Sequence, residues 1–145
     1  MDITVEALLL QKGHEVFSVA PDRTVYEALI VLAEKDIGAL LVFESEKMVG
    51  IFSERDYARK VVLKGKSTKS TIVREVMTEN VITVEINENV ENCMDLMTGK
   101  HIRHLPVVKN GAVTGVISIG DIVKAIISEQ KSTIKHLEKY IVGER

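Results

Sequence analysis

The alternation of apolar and polar positions marks out the elements of this chain one after another. Val16 to Val19 reads as a short strand. Pro21-Asp22 turns the chain, and Thr24 is placed to cap a helix whose apolar face is Val25, Ala28, Leu29 and Leu32. Ile37 to Phe43 is a nearly continuous apolar run, the pattern of a strand buried on both faces. Glu44-Ser45-Glu46-Lys47 makes a tight polar turn, and Met48 to Phe52 returns as a second strand. A helix begins after Ser53 and ends near Leu63.

The same order then recurs at a constant offset of 65 residues, without a gap, from Val16 on Val81 to Asp56 on Asp121. Val19, Val25, Lys35, Ile37, Leu40, Val42, Gly50 and Ser53 fall on Val84, Val90, Lys100, Ile102, Leu105, Val107, Gly115 and Ser118. Here Asn110-Gly111 supplies the hairpin turn, the strongest short signal of that kind. Two copies of one supersecondary unit predict a jointly buried core, and related copies create pseudo-two-fold clefts where a ligand can sit. A short helical segment precedes each copy, Val5 to Leu10 and Val73 to Met77, and Lys64 to Thr71 reads as a polar linker. Beyond Asp121 the last helix is long, and Val123, Ile126, Ile127, Ile134, Leu137 and Ile141 read as one apolar stripe. That stripe could pack across the module's own surface or form a subunit contact.

Composition narrows the class. A chain of 145 residues predicts one domain or one tight module, long enough to bury a core without disulfides or metals. Hydrophobic residues at 46% and charged residues at 28% are a globular balance. A net charge of −2, 4% aromatics and no basic patch imply neither a nucleic-acid nor a membrane partner. Cys93 is the only cysteine, and its place on a helix face predicts a buried thiol. No apolar run is long enough for a membrane span, and Met1 to Gly13 lacks the pattern of a signal peptide, so a reducing cytoplasm is expected.

The chemistry concentrates where a strand becomes a helix, in Gly50-Ile-Phe-Ser53-Glu-Arg-Asp56 and Gly115-Val-Ile-Ser118-Ile-Gly-Asp121. Ser-x-x-Asp is first of all a capping motif: the serine accepts from a free N–H and the acid reaches back. The same geometry has a functional reading. A helix start offers N–H donors and positive potential, and a carboxylate there can take both vicinal hydroxyls of a ribose. The motif's recurrence at matched positions favours the second reading beside the first.

The chain resembles a tandem pair of CBS domains, regulatory modules named after cystathionine β-synthase, of the stand-alone signal-transduction type. The residues that carry the likeness are Ile102-Arg103-His104-Leu105-Pro106-Val107-Val108, the two Gly-h-h-Ser-x-x-Asp segments, and Val73-Arg-Glu-Val-Met77-Thr. Gly50 to Lys60 adds a stretch similar to members made of little besides the pair. The resemblance implies an α+β fold of two pseudo-symmetric β-α-β-β-α units, one over residues 1–65 and one over 66–145 with an extended C-terminal helix. It implies clefts for a regulatory adenosine ligand such as AMP, ATP, NAD or S-adenosylmethionine, no catalytic cofactor, a homodimer, and an effector protein that the sequence does not name.

Carried onto this chain, the likeness places adenine against Ile37, Gly38, Ala39 and Leu40, or against Ile102, Arg103, His104, Leu105 and Pro106. Ribose falls to Asp56 or Asp121 with Ser53 or Ser118, while Ser18 and Thr83 line the cleft from the first strand. Phosphate needs basic donors, and the copies differ there: Arg103 and His104 replace Gly38 and Ala39, whereas Arg55 replaces Gly120. Arg59 and Lys60 read as a solvated helix face. Rival chemistries find less. His101 and His104 have no evident third metal ligand. Gly65-Lys66-Ser67 imitates the end of a phosphate loop, but position 60 is Lys and no strand feeds it. No nucleophile-and-base set is apparent, so the chain is not expected to be an enzyme.

Overall fold

The computed structural model describes residues 3–141. In chain order the first elements are α1 (Val5–Lys12), β1 (Ser18–Val19), α2 (Val25–Lys35), β2 (Ala39–Glu44), β3 (Lys47–Ser53) and α3 (Glu54–Asp56). A π-helical segment, Tyr57–Val62, continues α3. Then follow α4 (Val73–Val76), β4 (Val84–Glu85), α5 (Val90–Lys100), β5 (His104–Lys109), β6 (Ala112–Ser118) and α6 (Ile119–Ile141).

The predicted repeat is visible at every level. Each copy forms a three-stranded sheet, β1-β2-β3 or β4-β5-β6, with the first pair parallel and the second antiparallel. Val19 pairs with Val42 as Val84 pairs with Val107. Both central strands bury three consecutive residues, Leu40 to Val42 and Leu105 to Val107. The strand expected at Ile37 begins instead at Ala39, because Asp36 takes a left-handed conformation that ends α2, and Ile37 N–H still bonds back to Leu32. Thr24 caps α2 as expected, in a full capping box with Glu27.

Both hairpin turns place two residues at positive φ, Asn110 at 53° with Gly111 at 80°, and Ser45 at 51° with Glu46 at 64°. Asn-Gly adopts this geometry easily, whereas Ser-Glu does so against its preference.

The compact units are not the halves 1–65 and 66–145. One unit is Val16–Ile82, and the other joins Met1–Glu15 to Thr83–Arg145. Of the sequence halves, residues 1–2 and 142–145 lie outside the described residues. The reason for the exchange lies in the backbone. Helix starts leave N–H groups without intrahelical acceptors. In α1 the first two, on Val5 and Glu6, donate to the Glu88 and Ile86 carbonyls, while Val90 N–H returns to Ile3. In α4 the Val73 and Arg74 N–H groups donate to the Arg23 and Pro21 carbonyls. Each short helix is thus held by the repeat that does not follow it in sequence. The segment Lys64 to Thr71 is also more than a linker, since Thr71 is buried and the Thr68 and Thr71 carbonyls accept from the first N–H groups of α2.

The matched glycines show how closely those short helices sit. A Cβ on Gly50 would come within 2.9 Å of the Thr78 carbonyl oxygen and 2.6 Å of Met77 Sδ, whereas on Gly115 it would meet only Leu9 side-chain carbons at 2.9 Å. Backbone yields less readily than a leucine tip. Gly50→Ala should therefore cost about 2 kcal/mol and Gly115→Ala about half that. Urea unfolding of the two variants measures the difference.

The last helix departs from the single stripe expected of it. α6 packs on α1, α5 and β6. Its covered positions are Ile122, Ala125, Ile126 and Glu129, whereas Val123, Ile127, Ile134, Leu137 and Ile141 are exposed. Ile126 belongs to the inner face and the others to an outer one.

Candidate functional site

In each unit, strand register assembles the candidate site. Ala39 lies opposite Ser53, and His104 lies opposite Ser118. The first N–H of the following helix crosses back to the same segment: Glu54 donates to the Gly38 carbonyl at 3.0 Å, and Ile119 to the Arg103 carbonyl at 2.9 Å. The structure therefore gathers Gly38, Ala39, Ser53 and Asp56 in one unit, and Arg103, His104, Ser118 and Asp121 in the other. Ile37, Arg55 and Ile102 are half-buried beside them. Leu40, Leu105 and Pro106 are buried and serve the core. Ser18 and Thr83 are exposed on or before the first strands. Ser18 lines a cleft of about 520 Å³ with Ala20, Arg23, Glu27 and Ile30, and neither Ser53 nor Asp56 borders it.

Both Ser-x-x-Asp motifs cap. Ser53 Oγ accepts from Asp56 N–H at 3.2 Å and Ser118 Oγ from Asp121 N–H at 3.1 Å. Each aspartate reaches back to its serine N–H, at 3.0 and 2.8 Å. Beyond that shared frame the two carboxylates differ. Asp56 is 8% exposed, and both its oxygens are engaged. Oδ2 holds Ser53, while Oδ1 accepts from Thr78 Oγ1 at 3.2 Å and pairs with Lys60 at 3.0 Å. Lys60, expected on a solvated face, keeps a side chain 42% exposed and also pairs with Asp56.

On Asp121, the Ser118 N–H and Lys12 Nζ both meet Oδ2, the lysine at 2.5 Å. Lys12 also donates to the Val116 carbonyl. This lysine escaped the sequence reading because α1 stands outside the repeat, where no residue aligns with it. Beside the pair, α1 and α6 enclose an open cleft of about 460 Å³ lined by Leu8, Gln11, Lys12, Asp121, Lys124, Ala125 and Ser128.

Electrostatics follow from these neighbours. Burial works to raise the Asp121 carboxyl. The hydrogen bond and charge of Lys12, together with the Ser118 bonds, outweigh it and hold Asp121 below the ordinary carboxylate range. His104 is pushed below its ordinary 6.5, first by burial and then by the Lys12 and Arg103 charges, against an opposing pull from Asp121. The folded state thus disfavours the imidazolium. Stability linked to His104 is fully present above pH 6.5 and lost as pH falls through the lower folded value. Thermal unfolding followed downward from pH 7 should show this loss, and His104→Asn should flatten it. Cys93 is buried as expected, and burial pushes its thiol up to about 11.

Among the described residues, no group of three His, Cys, Asp or Glu side chains could hold a metal ion, and no helix is long and apolar enough to cross a membrane. Two like α+β units, each with a capped acid where strand becomes helix, define a tandem-repeat module. The CBS domain family model matches residues 12–63 and 73–128, and the chain belongs to that family.

A mitochondrial CBS domain-containing protein of Arabidopsis thaliana is 42% identical over 127 residues. That match covers 84% of this chain and 62% of the relative, so the chain spans less than two thirds of that curated relative. A solved protein with CBS domains from Burkholderia ambifaria is 46% identical with a TM-score of 0.85, covering 88% of this chain and 96% of that one. A CBS domain pair solved with 5′-methylthioadenosine and S-adenosyl-L-methionine is 26% identical with a TM-score of 0.78, covering 89% of this chain and 99% of that one.

Proposed function

We propose that the chain binds an adenosine-containing ligand of the AMP, ATP, NAD or S-adenosylmethionine class and relays its occupancy, through conformation or assembly, to a partner. The ligand leaves unchanged. The observation that carries this reading is Asp121: an ionised acid at a helix start, beside an open cleft, with Arg103 and His104 at the adjoining strand end. Such a carboxylate suits vicinal ribose hydroxyls, and the Arg103 guanidinium suits phosphate. The similar domain pair solved with two adenosine compounds supports the same class. The sensor works in a reducing compartment, the cytoplasm, as a homodimer.

A second reading applies to the first repeat. Both oxygens of Asp56 are already occupied by Ser53, Thr78 and Lys60, which favours a structural role for that motif. One occupied site per chain follows.

Titration calorimetry with AMP, ATP, NAD and S-adenosylmethionine tests the reading. At least one should bind with micromolar affinity, about −8 kcal/mol. At a hundredfold excess over Kd it should stabilise the fold by about 2.7 kcal/mol. Chromatography should recover the ligand intact. Binding by none of the four, or turnover proportional to protein, would overturn the proposal.

A further inference from the structure

We infer that the outer face of α6 pairs with the same face of a second copy of this chain, as a short antiparallel coiled coil centred between Ile134 and Leu137. This rests on the second-copy contact proposed above and is independent of nucleotide binding.

α6 carries two apolar faces, set more than a quarter-turn apart by helix geometry. The inner one, Ile122, Ala125, Ile126 and Glu129, packs within its own unit, and every residue from 131 to 139 is exposed. The outer one runs the length of the helix, and its exposure rises from 42% at Val123 through 55% at Ile134 to 79% at Ile141. Its spacing is a heptad. With Ile127, Ile134 and Ile141 at position a, Val123 and Leu137 fall at d, and Gln130 is the one polar residue in the seam. A narrow a/d seam fits another helix rather than a globular surface.

Charge then selects direction. Of the e positions Lys124, Lys131 and Glu138, the last two flank the centre of the pair. In a parallel pair they would meet the partner's Ile126 and the partner's Thr133, with no charge opposite. In an antiparallel pair that sets Ile134 against the partner's Leu137, Lys131 falls against the partner's Glu138. The two-fold axis repeats that contact, so the surface is self-complementary and closes at two copies. Among the described residues neither Lys131 nor Glu138 has an ion-pair partner in its own chain. Opposed helix dipoles favour the same arrangement.

The full-length variants Ile134→Cys and Leu137→Cys, mixed and mildly oxidised, test this directly. An antiparallel register makes the mixed disulfide dominate over both homodisulfides. Cys93 stays out of the reaction because it is buried. In sedimentation, Lys131→Glu and Glu138→Lys should each weaken self-association about three- to tenfold, and the double exchange should restore it. A dominant Ile134→Cys homodisulfide would show a parallel pair and overturn the inference. A dimer that forms no disulfide at either position would also overturn it, leaving the second-copy contact elsewhere. A clean monomer would remove both.

Discussion

Asp56→Ala should lower folding stability by about 3 kcal/mol, while Asp121→Ala lowers it by about 1 kcal/mol. The two residues align in sequence and share a capping frame, so propensity alone would give them equal costs. Their surroundings do not. Removing the Asp56 carboxylate strips the acceptor from the Ser53 N–H and hydroxyl and from the Thr78 hydroxyl, while Lys60, 42% exposed, can turn to solvent. Asp56 itself is buried, so water restores little to the Ser53 groups beneath it. At Asp121 the loss is the Ser118 contacts and an ion pair with Lys12, whose side chain is 36% exposed and can turn to solvent. Urea denaturation with unchanged m-values gives the comparison. Equal losses for the two variants would mean that capping alone sets the value of both acids.

That contrast was beyond reach of the sequence, and the reason is specific. The repeat, the Thr24 cap, the Asn110-Gly111 turn and the buried run through Leu41 rest on local chemistry, which a one-dimensional pattern records. The partners of the two acids come from segments that do not align. Lys12 lies on α1, before the first repeat begins. Lys60 lies on the π-helical run after Asp56, where the Leu63 N–H bonds to the Ala58 carbonyl five residues back. No counterpart of that run exists in α6. The exchange of α1 and α4 between repeats is carried by backbone bonds such as Val5 to Glu88, which leave no mark on residue type. One trace was readable in hindsight: Gly50 and Gly115 align because Met77 and Leu9 each need the space that a side chain would fill. The stripe on α6 was legible as apolar, but its division into a packed and an outer face needed the fold to show where the core ends at Glu129.

The largest effect on ligand binding should come from Asp121→Ala, which is expected to weaken the adenosine ligand by about 10- to 100-fold. A charge-assisted hydrogen bond of about 1.5–3 kcal/mol sets that range. Ligand hydroxyls must reach a carboxylate that is ionised and oriented. Lys12 and the Ser118 N–H meet this requirement by fixing Oδ2 and holding the carboxyl below its ordinary range. Asp121 borders an open cleft, whereas Asp56 is closed in by its own partners. Asp56→Ala should therefore change affinity by less than about threefold despite its larger cost in stability. Calorimetric titration of both variants, at a temperature where each is fully folded, separates the two roles. Unchanged affinity in Asp121→Ala would make that residue a cap and nothing more. An equal loss in both variants would mean that Asp56 is not confined to a structural role.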